Sequence, residues 1–123
     1  RLHERAISFG LNVENLYIDP LVMAIAADYY AGAVSLEVLR LINERLPYVK
    51  TFCGSSNVSY GMPLRKLLNK TFVSMQAALG MDAFLVDVRN RELMATLLAA
   101  TALIGQDEWG MNYIRAFRQG KLG

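Results

Sequence analysis

From Tyr48 to Asp87 the chain reads YVKTFCGSSNVSYGMPLRKLLNKTFVSMQAALGMDAFLVD, and this stretch decides the fold. Tyr48 to Cys53 predicts a strand. Gly54-Ser55-Ser56-Asn57 is a loop by composition. Pro63 introduces a helix on which Leu64, Leu67, Leu68, Phe72, Met75 and Leu79 form one apolar stripe, and Gly80 closes it. Ala83 to Val86 is apolar throughout, bounded by Asp82 and Asp87, and short enough for a buried strand. A strand, a crossover helix and a second strand make the unit of a parallel sheet.

Working outward, the same alternation continues on both sides. Upstream, Leu16-Tyr17-Ile18 is a short apolar run that Asp19-Pro20 ends, because proline cannot donate to a strand ladder. Leu21 to Ala33 is apolar but irregular, as suits a long loop or short helix. Ser35 reads as a helix N-cap, with Val38, Leu41, Ile42 and Arg45 at helical spacing behind it. Arg1 to Phe9 predicts a helix stopped by Gly10. Downstream, Arg91 to Ile104 and Trp109 to Arg118 predict two further helices. The expected class is α/β, and two architectures compete for it, a (β/α) barrel and a doubly wound open sheet. No G-x-G-x-x-G follows a strand, which weighs against the dinucleotide version of the second. A whole barrel takes eight strands and roughly 250 residues. Three strands in 123 residues make less than half of one, and a chain opening inside a helix reads as a segment of something longer.

Composition removes several function classes. The chain is 54% hydrophobic and 20% charged with a net charge of +2, which fits a globular domain and offers no block of like charge for nucleic acid or an anionic membrane. The single cysteine, Cys53, forms no internal disulfide and sits in no metal-ligand spacing, so a reducing, cytoplasmic setting and no metal site are expected. The apolar run Leu93 to Ile104 is too short to span a bilayer.

The three expected strands end in Asp19, in Gly54-Ser55-Ser56-Asn57 and in Asp87. These are C-terminal ends, the rim where barrel enzymes carry their chemistry. Each has a plainer reading. Asp before Pro is a common turn former, Asn57 suits a cap or left-handed position, and Asp87 suits the cap of the next helix. Cys53 reads as a small buried hydrophobe, His3 as a surface histidine and Trp109 as core or interface. Residue pattern alone gives a polar rim without a substrate.

Four blocks resemble the pterin-binding family: Leu16-Tyr17-Ile18-Asp19-Pro20-Leu21, Gly54-Ser55-Ser56-Asn57-Val58-Ser59, Leu67-Leu68-Asn69-Lys70-Thr71-Phe72, and Gly80-Met81-Asp82-Ala83 followed by Asp87. That family includes dihydropteroate synthase, the folate domain of cobalamin-dependent methionine synthase and the methyltetrahydrofolate:corrinoid protein methyltransferases. The likeness runs from about Gly10 to Phe117, and the G-x-S-N-V-S block marks the methyltransferase branch. It implies the C-terminal portion of a (β/α)8 TIM-type barrel, with residues 1–123 as its C-terminal half. It also implies one-carbon chemistry: a methyl group moved between N5 of tetrahydrofolate or methyltetrahydrofolate and the cobalt of a corrinoid carried by a partner protein, in a homodimeric enzyme. By the same resemblance Asp19 accepts hydrogen bonds from the pterin ring, Gly54, Ser56 and Asp87 flank it, and Asn57 stands beside N5 as the catalytic amide. Pterin ligands from earlier strands are absent, so this segment holds half of such a site. The Tyr60-Gly61-Met62-Pro63 loop is nearer the methionine synthase style. The alternatives are a non-catalytic half-barrel used for binding or assembly, and another pterin enzyme such as dihydropteroate synthase. The latter relies on a late-strand lysine, whereas Lys50 lies at the start of its strand.

Overall fold

The computed structural model describes residues 1–123. Three strands, β1 (Tyr17–Ile18), β2 (Lys50–Gly54) and β3 (Ala83–Leu85), form one parallel sheet in chain order. Five helices accompany them: α1 (Leu2–Ser8), α2 (Ala31–Arg45), α3 (Arg65–Ala78), α4 (Arg91–Leu103) and α5 (Met111–Arg118). The parallel sheet and the order of elements are those expected from the chain's alternation.

Strand periodicity explains the layering. Successive residues of β2 alternate between faces. Thr51 and Cys53 are buried against the helices, while Phe52 on the other face is 37% exposed. The register pairs Phe52 with Ala83 and Gly54 with Leu85 on that open face, and Tyr17 with Lys50 beside them. Tyr17 and Phe52 meet edge to face there at 6.0 Å, and Lys50 lies over the Tyr17 ring. One face of the sheet is thus helix-covered and the other is bare and apolar. The core lies between the sheet and α2 and α3: Val22, Leu39, Cys53, Val58, Phe72 and Met81 pack into one cluster. Leu39 is wholly buried, and its truncation to alanine would cost about 2–5 kcal/mol.

Three local expectations are corrected. Helix α2 starts at Ala31, so Ser35 lies inside it, buried and with its hydroxyl unpartnered, rather than capping it. The cause lies upstream. The Asp28 carboxylate accepts from the Tyr30 amide and its carbonyl from Ala31, which turns the chain into the helix early. Ile25 is meanwhile tied to the Val58 carbonyl, and Gly32 is packed against Ile25 and Val58. On α3 the buried face is Phe72, Val73, Gln76 and Ala77, while Leu64, Leu67 and Met75 of the expected stripe are exposed. The helix is wedged between the sheet and α4 and turns its 72–73–76–77 face inward. Trp109, expected in a core or interface, is 86% exposed in a left-handed turn ahead of α5.

At the N-terminal end of the sheet the polar groups serve the fold. The Asp82 carboxylate accepts from the Thr51 amide (2.8 Å) and hydroxyl (3.2 Å), tying β2 to the approach of β3. The Asn43 carboxamide donates to the Leu79 carbonyl at the end of α3.

Candidate functional site

The site grows from the C-terminal end of β2. The strand finishes at Gly54, and the chain enters a 3-10 turn over Ser55–Ser59 in which Ser55, Val58 and Ser59 are buried. Ser56 and Asn57 remain exposed. The turn is pinned on several sides. Its Ser56 carbonyl accepts from the Ser59 hydroxyl and from the Arg65 guanidinium at 2.9 Å. Ser59 also accepts from Arg65 Nε and lies 2.6 Å from the Asn69 amide oxygen. Arg65 stacks near the Tyr60 ring. No hydrogen bond ties the Asn57 side chain back to the protein, and its backbone is not left-handed. The plainer cap and left-handed readings of Asn57 therefore do not apply.

Beside this turn is a cavity of about 430 Å³, within the range of small-ligand sites. It is lined by Gly54, Ser55, Ser56 and Asn57 of the turn, by Asn69 and Val73 of α3, and by Leu85, Val86, Asp87, Asn90 and Leu93 from the end of β3 to the start of α4. A Cβ built on Gly54 would meet nothing within 4 Å, so the backbone there is approachable. The sequence-derived residues Gly54, Ser56, Asn57 and Asp87 are brought together on this cavity. Asp87 does not cap α4; Asn90 does, accepting from the Leu93 amide. Asp87 instead accepts from the Arg89 amide and guanidinium, and that pairing holds its carboxyl below the usual carboxylate range.

Asp19 stands apart. The register places Ile18 opposite Thr51, so Asp19 falls level with Phe52, two residues and roughly 7 Å short of Gly54 along the strand. Its carboxylate accepts from the Leu21 amide at 2.8 Å, making the turn expected of an Asp before Pro. It lines a separate, mainly apolar groove with Pro20, Leu21, Met23 and Ala31. Asn69 and Asn90 escaped the residue-by-residue reading. The signal for Asn69 was its place in the Leu67–Phe72 block; nothing in the sequence marked Asn90. No cluster of His, Cys, Asp or Glu is arranged to hold a metal ion, and no helix is long and apolar enough to cross a membrane.

A parallel sheet covered by helices on one face, with polar side chains gathered where β2 and β3 end, defines an α/β protein with a polar cavity at the C-terminal rim of its sheet. No family model matches the chain. Over 120 residues, 98% of its length, it is 35% identical to the methylcorrinoid:tetrahydrofolate methyltransferase of Eubacterium limosum, and it spans 44% of that protein's length. The chain is thus similar over nearly its whole length to part of a corrinoid:folate methyltransferase, in line with the resemblance carried by its motif blocks.

Proposed function

We propose that residues 1–123 form the C-terminal half of a pterin-binding (β/α)8 barrel. The complete enzyme moves a methyl group between N5 of tetrahydrofolate and the cobalt of a corrinoid carried by a partner protein. The observation that carries this reading is the Asn57 carboxamide, free of protein partners and lining a cavity of small-ligand size together with Asp87. The relative's name supports it, being that of an enzyme acting on a methylcorrinoid and tetrahydrofolate. The bare face carrying Tyr17, Phe52 and Leu85 agrees with a barrel interior awaiting its other strands.

The chemistry of the donor set fits a pterin. The ring presents an amidine-like pair of donors and a line of ring nitrogens and carbonyl oxygen. Asp87, on this cavity, is an acceptor for the first and carboxamides answer the second; Asp19, whose groove is separate, takes an anchoring role only on the resemblance of its Leu16–Leu21 block. The approachable Gly54 backbone admits a flat ring. Asn57, beside N5, holds that nitrogen in line for transfer and stabilises the charge that develops on it, without itself titrating. A neutral amine nitrogen is a poor leaving group, so such activation is what methyl release requires. The protein's part is positioning and electrostatics, with no protein nucleophile. The corrinoid supplies the methyl acceptor or donor and comes with its carrier. The reading includes a cytoplasmic homodimer. Dihydropteroate synthase chemistry is disfavoured because Lys50 is at the opposite end of β2, over Tyr17.

The test is transfer of the methyl group of methylcobalamin to tetrahydrofolate by the full-length polypeptide, followed by absorbance of the corrinoid. Turnover supports the reading; pterin binding without turnover points to the non-catalytic half-barrel, and neither overturns it.

A further inference from the structure

Beneath the Gly54–Asn57 turn three side chains from three elements close a ring of hydrogen bonds. The Ser55 hydroxyl donates to Gln76 Oε1 at 2.6 Å, Gln76 Nε2 donates to Cys53 Sγ at 3.1 Å, and Cys53 Sγ lies 3.6 Å from Ser55 Oγ. Cys53 ends the helix-facing side of β2, Ser55 opens the turn, and Gln76 projects from α3. All three are 1% exposed. A buried glutamine is an unusual choice in a helix face otherwise made of Phe72, Val73 and Ala77. An apolar side chain of the same size would fill this space as well, so packing does not explain it. The ring does explain it, because each member can donate once and accept once.

We propose, building on the methyl-transfer reading, that Gln76 is a positioning residue for Asn57. The ring fixes Ser55, two residues before Asn57, and thereby sets where the free carboxamide stands on the cavity wall. The other ties on the turn act after or at Ser56: Arg65 and Ser59 hold the Ser56 carbonyl, and Ile25 holds the Val58 carbonyl. Gln76 alone anchors the turn's entry from α3. Its effect should fall on the chemical step, because a catalytic amide displaced by a fraction of an ångström still leaves the pterin edge its other partners.

The experiment uses the full-length polypeptide with Gln76→Met, Ser55→Ala and Asn57→Ala, singly and in pairs. Single-turnover transfer between methylcobalamin and tetrahydrofolate is measured alongside tetrahydrofolate binding. For Gln76→Met we expect transfer slowed about 10- to 100-fold, with the folate dissociation constant within about twofold. In the Asn57→Ala background the same change should add little, because the group it positions is gone. Equal losses in both backgrounds, or an unchanged rate in folded protein, would overturn the proposal. Should Gln76→Met fail to fold, Ser55→Ala, which removes only a hydroxyl, must show the same split. Should the wild type transfer no methyl group, the functional reading fails. The positioning claim is then read from amide exchange at Ser56–Ser59: exchange unchanged by Gln76→Met refutes it, and selective acceleration there, with α3 protected, supports it.

Discussion

Removing the Asp82 carboxylate should separate what holds this fold together from what works on its rim. Thr51 is wholly buried, and both its amide and its hydroxyl give their hydrogen bonds to Asp82 Oδ2, at 2.8 and 3.2 Å. Asp82→Ala leaves a buried backbone N–H without its acceptor, a loss of about 1–3 kcal/mol. The second bond, to the hydroxyl, adds about 1 kcal/mol, and Asp82 is itself exposed, so water recovers part of both. The net expectation is about 2 kcal/mol. Asp82→Asn keeps an acceptor in place and should cost less than about 1 kcal/mol, while Thr51→Val loses the hydroxyl's donation to Asp82 and its acceptance from the Asp82 amide, which keeps the Thr51 carbonyl, so again about 1 kcal/mol. Urea unfolding at matched slope gives the three values. Methyl transfer per folded molecule should be unchanged in all three, since this end of the sheet is opposite the cavity. A loss below 0.5 kcal/mol for Asp82→Ala (roughly the scatter for surface substitutions), or a specific loss of transfer, would refute the reasoning.

The other expectations concern both ends of the molecule. Asn57→Ala should slow single-turnover transfer by about 10²–10³, whereas Asp19→Asn should mainly weaken folate binding, measured by fluorescence titration, because it acts on ground and transition states alike. Burial pushes the Cys53 thiol up, so the native state holds that proton more tightly than the unfolded chain. The stability from this source is complete below the unfolded thiol's pKa of about 8.5 and is lost as pH rises through the native value. The melting temperature should therefore fall with alkaline pH, and less so in Cys53→Ser. Gly80 has φ of +88°, and a Cβ there would lie 2.9 Å from Asn43 Nδ2. Gly80→Ala should thus destabilise by more than about 1 kcal/mol, checked by the same urea unfolding. Residues 1–123 produced alone should self-associate through the bare face of Tyr17, Phe52 and Leu85; a dilute monomer with a cooperative melt in sedimentation and calorimetry counts against the half-barrel.

How much of this was legible depends on the range of the forces involved. The strands were legible because residues buried on a sheet are apolar in runs, and Leu16–Ile18 and Ala83–Val86 are bounded by Asp and Pro. The start of α2 was not, because the capping pattern at Ser35 is local, while the true start depends on Asp28 and on Val22 to Ile25 docking against Val58. The inward face of α3 was misjudged for a related reason: it contains Gln76, which no hydrophobic periodicity marks. Two of the three strand-end groups, Gly54–Asn57 and Asp87, gathered as expected. Asp19 did not join them, since strand stagger is set by ladder register and leaves no trace in residue type.

The two ends of the sheet differ in a way that bears on function more directly than any single residue. At the N-terminal end Asp82 is spent on Thr51 and Asn43 on Leu79, and substituting either should be read in stability. At the C-terminal end comparable effort goes into holding one turn still: a closed ring beneath Ser55, a guanidinium and a hydroxyl on the Ser56 carbonyl, and an amide on the Val58 carbonyl. The residue in the middle, Asn57, takes no part in the bonding of its own side chain. Immobilising a segment around a side chain gains the fold nothing from that side chain. In the proposed methyl transfer it would remove the reorganisation that a mobile amide undergoes as charge develops on a neighbouring nitrogen, which is the condition under which a neutral donor becomes catalytic.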